Sequence, residues 1–360
     1  MQTAQKVPLQ SRRWVRDWVP KTLAATCSCC GLAAWIGVAA VSSSSSSSFT
    51  QPVRRKGLTS PNSAGGSGVA AASAGQLDLW QLQLAYDGTD LAGWQKQSEG
   101  VRTVQGEVDK ALTLVFRTEI RTIGASRTDS GVHARGQVCH FEAPELWAGG
   151  PGRLEAETAL RRLRMTLPSS VLAVRLCRGP TGFHARLTAV GKRYSYRLAV
   201  TDAVSPFEAR SCWRCGPLDL QRVQEAARQL DGKRMDYTAF TLGDVEPDYH
   251  GSVEKFVRIT VRPDGPDRIL VLVACDRFLY RMVRRIVGAL VEVGKGRGEP
   301  SGIASLGRKV VPTAPPEGLS LDAVIYAPEW GAGLTAGPPD AGVPGLEAPD
   351  WPGWSDDWLR

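Results

Sequence analysis

Between about residue 77 and residue 330 the spacing of apolar side chains switches between a period of two and a period near 3.6, in the same order twice. Trp80, Leu82, Leu84 and Tyr86 alternate and predict a half-buried strand that stops at the Asp87-Gly88 turn. Thr103 can cap a helix in which Val104, Val108, Ala111, Leu112 and Val115 share a face. Strands are predicted over Glu119–Ser126, Gly136–Glu142 and Val171–Cys177, with a helix over Glu155–Met165. The second round begins with a strand over Ala189–Val200. A helix marked by Leu220, Val223, Ala227 and Leu230 follows, then strands over Lys255–Val261 and Arg268–Cys275. A helix over Leu279–Val293, closed by Gly294, and a strand over Leu319–Tyr326 complete it. Two rounds of β-α-β-β-α-β predict an α+β fold with largely antiparallel sheets. No glycine-rich dinucleotide fingerprint follows the first strand, and no phosphate-loop motif is present. Gly294-Lys295-Gly296-Arg297-Gly298 follows a helix and makes a poor phosphate loop.

The flanks differ from this body. Residues 1–76 read as a leader: basic residues (Arg12, Arg13, Arg16, Lys21), an uncharged stretch from Thr22 to Val41, seven serines, then a Ser/Gly/Ala-rich, acid-free segment. The uncharged stretch is too rich in small residues for a membrane span. A signal peptide followed by a transit peptide fits the order. The pair resembles the bipartite leaders of proteins sent to plastids of secondary origin; a single mitochondrial or plastid transit peptide is the alternative. Residues 331–360 are rich in Gly, Pro and Asp, and read as a disordered tail. The leader carries a net charge of +7 and the tail −4, which leaves +5 for the body. That modest excess permits a polyanionic partner without requiring one. Arg161, Arg162 and Arg164 fit a phosphate-facing cluster or a solvated helix face. Cys139, Cys177 and Cys275 lie in apolar strands and read as core. Cys212-x-x-Cys215 lacks a second ligand pair at zinc spacing, so no metal is expected.

The stretch richest in chemistry runs from Ile123 to His133. Asp129-Ser130-Gly131 is a turn signature, and Arg127, two residues earlier, is placed to keep the Asp129 carboxylate ionised. Alone, this stretch also fits a surface turn with an incidental ion pair.

The stretch resembles the catalytic loop of the TruA-type tRNA pseudouridine synthases. Other segments match that family in order: Tyr86-Asp87-Gly88-Thr89 with Gly93-Trp94-Gln95, Thr103-Val104-Gln105-Gly106, Phe183-His184-Ala185-Arg186, and Lys192-Arg193-Tyr194-Ser195-Tyr196. Phe278–Arg284 with Ile286-Val287-Gly288, and then Thr313–Leu319, complete the set. The resemblance spans about residues 78 to 327. It implies a pseudouridine synthase fold with two ferredoxin-like-type subdomains, 77–188 and 189–330, sharing one sheet around a cleft. It implies isomerisation of uridines 38–40 in the anticodon arm of tRNA by a homodimer, with no cofactor, no metal and no stable membrane association.

By the same resemblance Asp129 is the catalytic carboxylate, and Arg127, Tyr194, Arg284 and Leu319 contact the substrate. Tyr194 would stack on the uracil, Arg127 would pair with Asp129 and contact the flipped nucleotide's phosphate, and Arg284 would border the site and hold Asp129 or a phosphate. His133, His140 and His184 are expected to support the loop and fold. Two positions depart from the family pattern: Ser126 stands where Gly is common, and Arg285 where Asn is common. A non-catalytic tRNA-binding protein or chaperone on the same scaffold is the rival reading, as is an enzyme for another RNA.

Overall fold

The computed structural model describes residues 77–144, 155–243, 253–331 and 351–352, all within one compact unit. The leader and most of the tail lie outside the described residues. In chain order the elements are β1 (Leu77–Tyr86), α1 (Val104–Phe116), β2 (Ile123–Gly124), β3 (His133–Pro144), α2 (Ala156–Thr166) and β4 (Val171–Arg178). Then come β5 (Ala189–Ala199), β6 (Trp213–Arg214), α3 (Leu220–Leu230), β7 (Lys233–Asp236), β8 (Glu254–Pro263) and β9 (Arg268–Cys275). The last are α4 (Met282–Gly294), β10 (Leu319–Tyr326) and the single turn α5 (Pro328–Gly331).

The strands form one sheet in the order β4-β1-β3-β10-β5-β9-β8-β7, with β2 beside β3 and β6 beside β5. Strands β4-β1-β3-β2 and β10-β5-β9-β8 repeat one connectivity, so the two rounds of the sequence pattern become two similar sheets side by side. All pairings are antiparallel except β5 with β6 and β10 with β3. The β10–β3 pair is the seam between the halves, and it spans only Ser320 with His133 and Leu321 with Ala134. It exists because β2 is short: β2 covers β3 at His140 and Cys139 and leaves its beginning open for β10.

Leu82, Leu84, Tyr194, Tyr196, Val271 and Val273 point to one face of this sheet, where Val108 and Leu112 of α1, Val223 of α3 and Ile286 of α4 join them in one core. Thr103 caps α1 by accepting from Gly106 N–H, and Asp219 caps α3 by accepting from Gln221 and Arg222. Gly294 lets α3 and α4 close up, since a Cβ there would stand 2.5 Å from Val223. Cys139 and Cys275 are buried as expected, and Cys177 is half-buried.

Four expectations need correction. β1 is buried on both faces: Gln81 and Gln83 are inside, and the Gln81 amide donates to Trp330 O. Alternation therefore misjudged an interior strand flanked by β3 and β4. The predicted strand Glu119–Ser126 shrinks to Ile123–Gly124, because the Gln137 side chain takes both backbone groups of Ser126 in place of a neighbouring strand. α4 begins at Met282 rather than Leu279, since Arg281 is left-handed (φ 58°) and Phe278 and Leu279 pack onto the core from a loop. Arg164 donates to the carbonyls of Ala173 and Val174, at the bulge of edge strand β4, which commits it to the fold.

Candidate active site

The loop after β2 is held from several sides. Thr128 O accepts from Trp94 N–H, and Thr128 Oγ1 meets the Tyr86 hydroxyl at 2.8 Å. Ser130 Oγ and Gly131 N–H both donate to Leu91 O. Gly131, at φ 79°, closes the turn in which Val132 N–H bonds back to Asp129 O. His133 fixes the exit: Nδ1 accepts from Gly88 N–H, and Nε2 donates to Glu317 O. The segment from Tyr86 to Trp94 thus serves as a cradle for the loop.

Asp129 lines a cleft of about 340 Å³. All five residues singled out from sequence, Arg127, Asp129, Tyr194, Arg284 and Leu319, line it. Of the two arginines that the resemblance offers for the carboxylate, Arg127 and Arg284, it is Arg284 that pairs with it. Arg284 donates from Nη1 to Asp129 Oδ2 at 2.8 Å, and Arg281 Nε stands 3.7 Å from the same oxygen. Arg127 is exposed and has no ion pair among the described residues. Arg127, two residues away in sequence, makes no ion pair with Asp129, while α4 delivers an arginine from 155 residues downstream. A tether this long is invisible to local spacing.

Arg284 is fixed twice, because its Nε also donates to Ala314 O at 2.8 Å. That carbonyl reaches the helix only because Gly288 has no side chain: a Cβ there would stand 2.3 Å from Pro312 O. The segment Thr313–Leu319 does more of the same. Pro315 O accepts from the Tyr196 hydroxyl, and Leu319 sits opposite Tyr196 in the β10–β5 pairing.

Tyr194 is buried, with its ring edge-on to Phe278 and its hydroxyl 2.7 Å from Ser126 Oγ. Burial pushes this phenol up to about 12, with the Ser126 bond working against the rise and the Asp129 charge adding to it. It is therefore neutral at physiological pH. Ser126 needs no unusual backbone, since its φ is not positive. Arg285 is buried, and its guanidinium donates to Ala239 O and Arg308 O, so it ties two segments together away from the cleft.

The histidines are held by backbone N–H groups. His140 Nδ1 accepts from Ala185, and burial drops its pKa to about 4. His184 Nδ1 accepts from Arg186 and Leu187. Burial also lowers His133. Among the described residues no group of three His, Cys, Asp or Glu side chains is placed to hold a metal ion, and no helix is long and apolar enough to cross a membrane.

Sequence reasoning passed over Arg281 as a neighbour of Asp129 and Ser126 as the partner of Tyr194. It also passed over Lys192 and Arg277, which line the same cleft. For Lys192 the signal was available: it lies two residues before Tyr194, hence on the same face of β5.

Fold and cleft together define a class: an α+β protein of two joined, similar half-sheets, with one carboxylate clamped by arginine in a basic cleft. Comparison with known proteins makes this specific. Residues 226–327 match the family model described as tRNA pseudouridine synthase. The chain is 38% identical over 258 residues to a tRNA pseudouridine synthase A of Streptomyces avermitilis, covering 68% of this chain and 87% of that protein. It is 35% identical over 263 residues to the protein of that name from Maridesulfovibrio salexigens, covering 71% of this chain and 93% of the relative. With that of Solidesulfovibrio magneticus it shares 38% over 277 residues, 74% of this chain and 94% of the relative. The chain belongs to the tRNA pseudouridine synthase family.

Proposed function

We propose that this chain isomerises uridine to pseudouridine in the anticodon arm of tRNA, at positions 38–40, with Asp129 as the reacting carboxylate. The reaction breaks the C1′–N1 bond, turns the uracil and joins C1′ to C5. The proton lost at C5 is balanced by one gained at N1, so no redox partner enters. It needs one carboxylate held ionised and aimed at the flipped nucleotide, and the observation that carries the reading is the Asp129–Arg284 pair at 2.8 Å in the cleft wall. A guanidinium at that distance makes a charge-assisted hydrogen bond that holds the carboxylate in one orientation, with Oδ2 on Arg284.

Around this pair, Tyr194 offers an aromatic surface for the base and Leu319 an apolar wall. Arg127, exposed and uncommitted, is the side chain to follow the phosphate of the extruded nucleotide. Recognition of the rest of the RNA is by shape and phosphate. The working unit is a homodimer with one tRNA across both copies. The leader, residues 1–76, directs the chain to a plastid, on the strength of its basic, apolar and then Ser-rich order.

The test uses the full chain and its Asp129→Asn variant with unmodified tRNA transcripts, mapping pseudouridine by chemical labelling and primer-extension stops. Stops in the anticodon arm with the wild type alone are expected. Tight tRNA binding without stops would favour a binding protein or chaperone, and stops elsewhere would replace the substrate while keeping the chemistry.

A further inference from the structure

We propose that Lys192 and Arg277 form a second anion subsite of the cleft, which takes a phosphodiester flanking the uridine held at Asp129. The proposal rests on the reading of the cleft as an RNA site and adds residues that reading does not use.

The geometry comes from two adjacent strands. Lys192 and Tyr194 are two residues apart on β5, which places their side chains on one face at roughly 6.6 Å spacing. Lys192 is paired across the sheet with Cys275 of β9, and Arg277 follows Cys275 by two residues. Both basic side chains line the cleft. The subsite therefore sits one strand step beyond the aromatic ring, which is where the backbone of a nucleotide next to a stacked base would run.

What marks the pair is the absence of partners. Both residues are half-buried, yet neither side chain makes a hydrogen bond or ion pair among the described residues. The bond recorded at Arg277 runs from its backbone N–H to Asp276 Oδ1. Elsewhere this chain neutralises its half-buried arginines: Arg197 faces Asp264, Arg258 faces Asp231, and Arg268 faces Glu208. Holding unpaired cations together at the edge of a core is unfavourable, and such sites persist where a ligand brings the missing charge.

The electrostatics agree. Burial, then Arg277, bring the Lys192 ammonium down to about 8, Arg186 adding to the fall while Cys275 and Asp276 oppose it. A phosphodiester is the matching anion, because it stays charged over the whole range, accepts from a guanidinium fork and from an ammonium, and arrives covalently attached to the substrate. Arg284 cannot take this role without releasing Asp129 and Ala314 O.

Binding of a short anticodon-arm stem-loop RNA to the full chain, read by fluorescence anisotropy, tests the subsite separately from catalysis. Lys192→Gln and Arg277→Gln should each weaken binding about 5- to 10-fold and lower the salt dependence by about one counterion. In turnover the loss should fall on KM and not on kcat. Wild-type affinity should decline as pH rises through about 8, as the ammonium discharges. Lys192→Arg, charged at every such pH, should keep the affinity and abolish that decline. Unchanged affinity and salt slope in Lys192→Gln, or a loss confined to kcat, would overturn the proposal. A chain that shows these binding effects but forms no pseudouridine would keep the subsite and discard the proposed reaction.

Discussion

Two hollows lie on opposite faces of the sheet, and the wider of the pair is the less promising. The hollow of about 430 Å³ is lined by Arg135, Arg197 and Ser320, which alternate with the core-facing residues of their strands, and by Phe207 and Arg210 of a following loop. Each of its three arginines already has a carboxylate: Arg135 has Asp322, Arg197 has Asp264, and Arg210 has Asp87 and Asp90. The cleft at Asp129 is smaller, about 340 Å³, yet among the described residues the side chains of Arg127, Lys192 and Arg277 make no ion pair there. The comparison extends to the acids. Asp322 is fully buried at the seam and burial raises its pKa, whereas Asp129 lines the cleft against Arg284 and is partly exposed. Arginines beside a cavity are thus a poor guide to a polyanion site; arginines and lysines in excess of their carboxylates are a better one.

The largest test of that contrast is Asp129→Asn, which should lower kcat by at least about 10³-fold with tRNA binding retained. Removal of the clamp comes next. Arg284→Met should cost roughly 10²-fold in kcat, since Asp129 loses both its charge partner and its fixed orientation. Arg284→Lys should recover only part of this, because one ammonium cannot reproduce the fork that serves Asp129 and Ala314 O together. Single-turnover rates on tRNA transcripts read both. Equal rates for Arg284→Met and wild type would mean that the ion pair is a resting contact with no part in the reaction.

The pH axis separates the cleft from the scaffold. His140 is neutral in the folded chain, with a pKa near 4 against an unfolded value of about 6.5. Between those values the unfolded chain takes up the proton and the folded chain does not. Its contribution is therefore whole above about pH 6.5 and falls away toward pH 4, by roughly 3 kcal/mol. Urea midpoints near pH 7 and pH 4.5 should show the loss. His140→Asn, which keeps an acceptor for Ala185 N–H, should remove most of it. An acid loss of stability alongside an alkaline loss of RNA affinity would assign the two limbs to different places; both limbs vanishing in one variant would merge them.

How much of this was legible in the sequence depends on the distance over which each feature is decided. Local features read well: the Thr103 cap, the stripe of Met282, Ile286, Ala289, Leu290 and Val293, and the Asp129-Ser130-Gly131 turn all depend on neighbours within a few residues. The doubled topology was legible because each half repeats one order of periods. Long-range features were out of reach of spacing and pattern. Arg127 is two residues from Asp129 and makes no ion pair with it, while Arg284, 155 residues away, does; that contact was suggested only by the family resemblance. The burial of Gln81 and the truncation of β2 by Gln137 depend on which strand lies alongside, and periodicity carries no record of that. The left-handed Arg281 is a similar case: a non-glycine residue at φ 58° interrupts an apolar pattern that runs on through Leu279 as if the helix had begun.

The smallest expected effect is the most exacting test of the comparison. Arg210 is exposed, lies at the wider hollow and is held by Asp87 and Asp90. Its charge is already answered within the fold, and solvent screens what is left. Arg210→Ala should therefore change anticodon-arm affinity by less than about twofold, with no change in the salt slope, although it removes as much formal charge as Lys192→Gln. If net charge alone drew the RNA in, the two variants would weaken binding alike and their effects would scale with ionic strength in the same way. A loss at Arg210 as large as that at Lys192 would show that the RNA reaches both faces of the sheet, and that pairing within the fold does not decide which cations it finds.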